Sequence, residues 1–236
     1  MKTPRTGPRL TRLAPRAAWA AVLLAGAATA TEPGWPSGFV DAGRVVPGLR
    51  VDARYAGGDN FIGRPIAGYE AARCVLTEKA ATALAAVQKE LSRFGLGLMA
   101  FDCYRPQRAV DDFVRWAQDA ADQARKADFY PRVDKGDLFK LGYIAARSGH
   151  SRGSTLDVTL VSLDTGRELD MGGRFDFFDE SAEGTAPGLA PQQRANRQLL
   201  QLAMRAHGFR PYRYEWWHFT LVDEPHPETY FDFVVR

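Results

Sequence analysis

Residues 148–161 read SGHSRGSTLDVTLV, a polar, glycine-rich turn that leads directly into an apolar segment. The β-branched residues from Thr155 onward favour a buried strand. A turn followed by a strand can bring the side chains of His150 and Asp157 back to one point. A buried acid needs a charged partner or a metal ion, so Asp157 is a candidate functional residue. The alternative is an aspartate satisfied by turn amides or an arginine, beside a surface histidine.

A second candidate segment lies near the C-terminus, where residues 215–218 read EWWH. Imidazole nitrogens and carboxylate oxygens suit a zinc ion, and a catalytic zinc site keeps one position open for water. Such a site also needs a base that takes the proton of this water, and Glu215 stands three residues before His218. The two tryptophans would limit the access of water and can raise the pKa of the acid. The alternative is an aromatic core strand with polar ends.

Glu215 and His218 could not meet on a regular strand, because residues three apart point to opposite faces. We therefore expect a bulge or twist at Trp216 and Trp217. Together the two segments supply two histidines, one aspartate and one glutamate, which is a three-ligand metal site with an open position and a base. A structural zinc ion usually has four protein ligands instead.

Arg105 is a third candidate, because it follows a short apolar strand and is held by the proline after it. A guanidinium group at this place could reach an oxyanion or a substrate carboxylate. The alternative is a structural ion pair with Asp102 or Asp112.

The periodicity of apolar residues predicts a mixture of helices and strands. The predicted helices span residues 77–94, 107–126 and 191–207, and the predicted strands span residues 49–55, 97–102, 155–161 and parts of 209–222. Because helices and strands do not alternate regularly, the pattern favours an α+β fold over a doubly wound sheet.

The first thirty residues differ from the rest of the chain. Five bases without an acid precede an apolar run over residues 17–28, and Ala-Thr-Ala follows at 28–30. This order is typical of a secretory signal peptide, and the alternative is a retained N-terminal anchor. The pattern predicts a signal peptide over residues 1–30 and a single domain, with the candidate zinc site, over 31–236, which is exported to the periplasm and not inserted in the membrane after cleavage.

Charge gives no indication of a nucleic-acid partner. The whole chain has 31 Lys and Arg against 28 Asp and Glu, a formal charge of +3. Without the five bases of the leader, 26 bases remain against 28 acids, a formal charge of −2. No basic stripe with interleaved aromatic residues is left, so we expect no nucleic-acid binding.

Two cysteines remain to be explained, Cys74 and Cys103. An even number of cysteines in an exported chain favours a disulfide bond. Two buried free thiols are the alternative.

The two metal-site segments resemble those of the zinc D-Ala-D-Ala dipeptidases, which include the vancomycin-resistance dipeptidases and belong to the LAS metallopeptidase superfamily. Further landmarks of this family follow in the expected order across most of residues 31–236. They are Asn60, Phe61 and Gly63; Asp102, Tyr104, Arg105 and Pro106; Asp170, Met171 and Gly172; and Phe175 and Asp176.

The resemblance implies an α+β fold in which a central antiparallel sheet carries the zinc site and is flanked by helices. It implies one Zn²⁺ per chain, bound by His150, Asp157 and His218. Glu215 would be the general base and then the acid, and Arg105 would stabilise the tetrahedral oxyanion. Ser148 and Asp170 would hold the charged ends of a dipeptide.

The implied function is the hydrolysis of D-alanyl-D-alanine, or a related D,D-dipeptide, by metal-activated water. Export would make this a reaction of cell-wall peptide turnover, with a small D,D-dipeptide as the partner. One alternative is a D,D-carboxypeptidase that acts on longer peptidoglycan stem peptides. Another is a non-catalytic, zinc-containing module that binds the cell wall.

Overall fold

A five-stranded sheet lies at the centre of the structure. A computed structural model describes Met1 and residues 34–236. The strands within these residues are β1 (Phe39–Asp41), β2 (Arg50–Val51), β3 (Val75–Thr77), β4 (Leu96–Asp102), β5 (Thr155–Ser162), β6 (Phe209–Pro211) and β7 (His218–Leu221). The α-helices there are α1 (Ala42–Val45), α2 (Glu78–Ser92), α3 (Gln107–Gln118), α4 (Lys126–Phe129) and α5 (Pro191–Ala206).

The order of strands in the main sheet is β2, β4, β5, β7 and β6. All neighbours pair antiparallel except β2 and β4, which are parallel. Strands β1 and β3 form a separate antiparallel pair. The predicted α+β fold with a central antiparallel sheet and flanking helices is therefore confirmed, with one parallel pair at the edge.

Helix α2 begins and ends where its sequence predicts. The hydroxyl of Thr77 accepts a hydrogen bond from the amide of Ala80 and caps the first turn. Apolar side chains at helical spacing, such as Leu84 and Leu91, are buried. Helix α2 packs on β4, α5 packs on β6, and the two helices contact each other, so both cover the same face of the sheet.

Helix α3 ends at Gln118, earlier than the predicted end near residue 126. The reason is the buried side chain of Lys135, which is only 4% exposed. Its Nζ donates hydrogen bonds to the carbonyl oxygens of Trp116 (2.9 Å) and Asp119 (2.8 Å). A cation at the C-terminus of a helix satisfies its last carbonyl groups. Lys126, the predicted last residue, begins α4 instead.

The strand predicted over residues 49–55 is reduced to Arg50 and Val51. Residues Arg54–Ala56 form a 3-10 turn, which buries the ring of Tyr55. The ring of Tyr55 therefore packs into the core from a turn and not from the face of a strand.

A disulfide bond joins Cys74, just before β3, to Cys103, just after β4, with their Cα atoms 5.1 Å apart. The bond therefore ties the small antiparallel pair to the main sheet. The predicted signal peptide and its boundary at residue 30 lie outside the described residues. Within the part of the chain that the structure describes, no helix combines the length and the apolar character needed to cross a membrane.

Candidate active site

Three acidic or basic side chains line up across neighbouring strands of the main sheet. Asp102 in β4 pairs directly with Asp157 in β5, and Asp157 pairs directly with His218 in β7. A shift of register between Ala100 and Asp102 brings Asp102 into this row. Directly paired residues point to the same face of a sheet, so the three side chains lie next to one another.

His150 reaches this row from a 3-10 turn over Gly149–Arg152, which leads into β5. The hydroxyl of Ser148 accepts a hydrogen bond from the amide of His150 and caps this turn. The ring Nδ1 of His150 lies 2.7 Å from the carbonyl oxygen of Cys103, to which it donates. Donation from Nδ1 leaves Nε2 without a proton and free to act as a ligand.

His150, Asp157 and His218 could hold a metal ion together. His150 Nε2 lies 3.4 Å from Asp157 Oδ1 and 3.3 Å from His218 Nδ1, and His218 Nδ1 lies 3.1 Å from Asp157 Oδ1. Asp157 is 2% exposed, and its Oδ1 has no hydrogen bond of good geometry among the described residues. A buried carboxylate oxygen that faces two imidazole nitrogens fits a divalent metal ion.

Glu215 lies beside these three residues, but a turn places it there and not the predicted bulge in a strand. Residues 215–217 form a turn before β7 rather than a bulged strand. The amide of His218 donates to the carbonyl oxygen of Glu215 (3.3 Å), which closes the turn. Both side chains then point the same way, and Glu215 Oε2 lies 3.4 Å from His218 Nδ1. Trp216 and Trp217 are buried and fix the turn in place.

The carboxylates and imidazoles of this cluster stabilise each other's charged forms. Burial opposes the ionisation of Asp157, but His150 and His218 outweigh it and hold the pKa of this carboxyl below its usual range. Burial also opposes the protonation of His218. The carboxylates of Asp157 and Glu215 outweigh that effect and raise the pKa of His218 to about 9. The metal-free cluster therefore holds a proton at neutral pH that a metal ion must displace.

Arg105 forms an ion pair and also borders the cavity that holds the other candidate residues. Its Nε and Nη2 lie 2.9 and 2.8 Å from Asp102 Oδ2, so the structural ion pair is present. Nη2 also lies 3.6 Å from Asp157 Oδ2. The guanidinium group lies 5.1 Å from the ring centre of Tyr55 and borders the same cavity as the metal-site cluster.

These side chains surround a cavity of about 260 Å³. Residues at its wall include the three metal-site residues, together with Arg105, Ser148 and Glu215. This volume lies just below the range of roughly 300–1,000 Å³ that is typical of pockets for drug-sized ligands. The cavity therefore fits a small molecule.

Asp170 does not reach this cavity. It is exposed, and its carboxylate accepts hydrogen bonds from the amide of Gly172 (2.8 Å) and from Gln193 Nε2 (2.9 Å). Asp176 borders the cavity in its place, buried and hydrogen-bonded to the hydroxyl of Tyr55 (2.8 Å).

In the sequence, Asp176 is a landmark of the family to which no role is assigned. A signal for it was an acid inside the aromatic run FDFF at 175–178, since such an acid is commonly buried. Asp176 is also the one residue other than glycine with a positive φ (59°) within the described range, and such strain is common at functional sites.

A model of the D-Ala-D-Ala dipeptidase family matches residues 36–236. The chain belongs to this family. A D-Ala-D-Ala dipeptidase of Enterococcus faecalis is 45% identical over 84% of this chain and 98% of its own length. A D-Ala-D-Ala dipeptidase of Streptomyces coelicolor is 48% identical over 84% of this chain and 96% of its own length. Membership of the D-Ala-D-Ala dipeptidase family makes the chain a metallopeptidase and confirms the resemblance drawn from its motifs.

Among solved structures, this D-Ala-D-Ala dipeptidase family member is similar to an LD-carboxypeptidase, LdcB, described in connection with peptidoglycan recognition. The two are 18% identical, and the match covers 80% of this chain and 70% of the other at a TM-score of 0.41. A likeness of this size does not bear on the substrate.

Proposed function

We propose that this protein hydrolyses D-alanyl-D-alanine, or a closely related D,D-dipeptide, with one zinc ion bound by His150, Asp157 and His218. The observation that carries the proposal is the spacing of the three ligand atoms beside Glu215 in a small cavity. The names of its relatives, all D-Ala-D-Ala dipeptidases, support the same substrate class.

The donor set fits zinc. Ligand atoms that lie about 2.0–2.1 Å from a tetrahedral zinc ion are roughly 3.3 Å apart. The corresponding distances between His150 Nε2, Asp157 Oδ1 and His218 Nδ1 are 3.1, 3.3 and 3.4 Å. Three protein ligands leave one position open, as in catalytic zinc sites. A zinc ion bound here would supply a Lewis acid and would lower the pKa of bound water towards roughly 7.

Glu215 would carry the proton during peptide hydrolysis. Its carboxylate is part-buried beside the metal-site histidine His218 and lines the cavity, where it would accept a proton from the water that attacks the peptide carbonyl carbon. Glu215 takes a proton from that water and then donates it to the nitrogen of the leaving amino acid. The rigid turn with Trp216 and Trp217 holds its carboxylate in place through both transfers.

Arg105 would stabilise the oxyanion that develops on the carbonyl oxygen. Two of its nitrogens are held by Asp102, which fixes the plane of the guanidinium group at the wall of the cavity. Asp102 therefore orients the arginine, so that the ion pair and the catalytic role do not exclude each other.

Asp176 would bind the free ammonium group of the dipeptide. Burial and the nearby Asp157 raise the pKa of this carboxyl well above its usual range. The ammonium group of a bound dipeptide would favour its ionised form. The hydroxyl of Ser148, and the neighbouring Arg147 at the cavity wall, would take the carboxylate end.

The lining of the cavity favours a dipeptidase over a carboxypeptidase. A dipeptidase must bind the free amine of its substrate, and this cavity of about 260 Å³ presents the buried carboxyl of Asp176 for that amine. A substrate in which that nitrogen is part of a peptide bond would bring no ammonium group to pair with the Asp176 carboxylate, and would bind less tightly.

We also propose that the protein acts in the periplasm on peptides from the cell wall. The leader-like features of residues 1–30 support export. The disulfide between Cys74 and Cys103 supports an oxidising compartment as well.

The test is to assay the purified protein with D-Ala-D-Ala, L-Ala-L-Ala and a pentapeptide that ends in D-Ala-D-Ala, together with a measurement of its zinc content. We expect zinc close to one ion per chain and hydrolysis of the D,D-dipeptide alone. Release of D-alanine from the pentapeptide at a comparable rate would support the carboxypeptidase instead.

The variant Glu215→Gln should keep its zinc and lose about 10²- to 10⁴-fold in kcat. A matched control is Glu90→Gln, which removes another glutamate paired with a histidine, His207, outside the cavity. The control should retain the wild-type kcat. Near wild-type turnover by Glu215→Gln would refute the assignment of the base.

A further inference from the structure

The long connection between β5 and α5 contacts the turn that carries Glu215. The amide of Trp216 donates to the carbonyl oxygen of Ala182 (2.9 Å), and the amide of Gly184 donates to the carbonyl oxygen of Arg213 (3.1 Å). These two hydrogen bonds lie on either side of Glu215 in the sequence. The position of residues 182–184 therefore sets the position of the turn.

Arg197 of α5 holds this part of the connection in place. Its Nη1 donates to the carbonyl oxygens of Ser181 (3.0 Å) and Glu183 (2.6 Å), which flank Ala182. Its Nε donates to the carbonyl oxygen of Met171 (2.6 Å), at the other end of the connection. One guanidinium group thus joins three carbonyl groups from two separate stretches of chain.

The same guanidinium group also lies 5.7 Å from the ring centre of Trp216, the residue directly after Glu215. It therefore contacts the turn from two sides, through residues 181–183 and through the indole. A planar group with several donors can do this, whereas a lysine ammonium group has one point of contact.

Arg197 is costly to bury, which indicates a specific role. Its side chain is 0% exposed, and within the described residues it forms no ion pair with a carboxylate. Loss of solvation lowers its pKa to about 10. Burial of a cation without an anionic partner carries a desolvation penalty, which its hydrogen bonds to the three carbonyl groups must offset.

We propose that Arg197 is a positioning residue for Glu215: it holds residues 181–183 against the turn over residues 213–216 and so fixes the carboxylate in its reactive position. This inference rests on the proposed function, in which Glu215 carries the proton. Arg197 itself does not touch the substrate cavity.

The test is a double-mutant cycle between Arg197 and Glu215. Arg197→Gln and Arg197→Lys are each made in the wild-type protein and in Glu215→Gln, and kcat, KM and zinc content are measured per folded molecule with D-Ala-D-Ala. We expect kcat of the single Arg197 variants to fall about 10- to 100-fold, as misplacement of a catalytic group does. KM and zinc content should stay within about twofold.

In the Glu215→Gln background the same Arg197 substitutions should lower kcat no further, since two residues that act as one unit have non-additive effects. A merely structural arginine would lower the thermal midpoint and the zinc content, and its effect would be additive. The lysine variant keeps the charge and the length of the side chain, and it serves if the glutamine variant does not fold.

Lys135→Gln is the matched control, because Lys135 is another buried cation whose hydrogen bonds, among the described residues, go to backbone carbonyl oxygens, those of Trp116 and Asp119. It should lower the thermal midpoint and leave kcat unchanged. Wild-type kcat in the Arg197 variants, or additive effects with Glu215→Gln, would overturn this inference and leave the proposed function intact. Wild-type kcat in Glu215→Gln itself would overturn the proposed function and the inference with it.

Discussion

The two histidines of the candidate metal site present different ring nitrogens, and each choice has a local cause. The carbonyl oxygen of Cys103 accepts a hydrogen bond from Nδ1 of His150, which leaves Nε2 for a metal ion. His218 turns Nδ1 towards Asp157 and Glu215 instead. The backbone at Cys103, which also forms the disulfide, therefore orients a residue of the candidate metal site.

Metal binding should depend on pH because of His218. Its pKa of about 9 in the metal-free protein lies above the usual value, so the ring is protonated at pH 7 and loses that proton to the metal. Zinc affinity should therefore rise with pH, about tenfold per unit between about pH 7 and pH 8.5, and level off above the pKa. Calorimetry in two buffers of different ionisation enthalpy measures the released proton, and a constant affinity over this range would contradict the expectation.

Asp176→Asn should raise KM for D-Ala-D-Ala by about 100-fold, because it removes the buried charge that would pair with the substrate ammonium group. Asp170→Asn should leave KM unchanged, since Asp170 is exposed and bonded to Gly172 and Gln193. The comparison shows which of the two acids binds the ammonium group of the substrate. An increase in KM for the Asp170 variant alone would restore the role that the sequence suggested for it.

Turns at the ends of strands deliver the functional groups of this protein. His150 lies in the turn before β5, and Glu215 lies in the turn before β7. Asp157 and His218, by contrast, are held by the pairing of the strands themselves. The sheet therefore fixes two metal-site residues, while two turns must be held in the correct shape from outside.

Gly153 ends the turn of His150 and has a φ of +80°. A Cβ atom at this position would overlap the ring of Phe39. Gly153→Ala should therefore destabilise the protein by about 3 kcal/mol, from backbone strain and from the clash, and should reduce zinc content by displacing His150.

Gly95→Ala is the control, because Gly95 has a similar φ of +71° with nothing within 4 Å of the added atom. It should cost only about 1 kcal/mol in urea unfolding and retain full zinc content. Equal effects of the two substitutions would show that the contact with Phe39 does not matter.

For the molecule as a whole, the family match begins at residue 36 and extends to residue 236. The leader-like residues 1–30 precede it. When the full chain is produced in a Gram-negative host, we expect protein in the periplasm with Thr31 as its first residue. Mass spectrometry of the periplasmic fraction measures this. Uncleaved protein that remains with the membrane would support the retained anchor.

Much of the site could be predicted from the sequence, because the chemistry of a ligand resides in the residue type. Residues 148–161 and 215–218 supply two imidazoles and two carboxylates near predicted turns and strands, and the structure brings all four together. Helix α2 could also be predicted, since its cap at Thr77 and its apolar spacing are local properties.

Only the tertiary structure decided which acid reaches the cavity, where α3 ends and what holds the Glu215 turn. Asp176 meets Tyr55 across 121 positions of the chain, Lys135 closes a helix 16 to 19 positions earlier, and Arg197 bonds to carbonyl groups 14 to 26 positions earlier. Each contact depends on how separate elements pack, and no local pattern of residues encodes that. The sequence by itself therefore determined the chemical groups of the site, and packing determined which of them face one another.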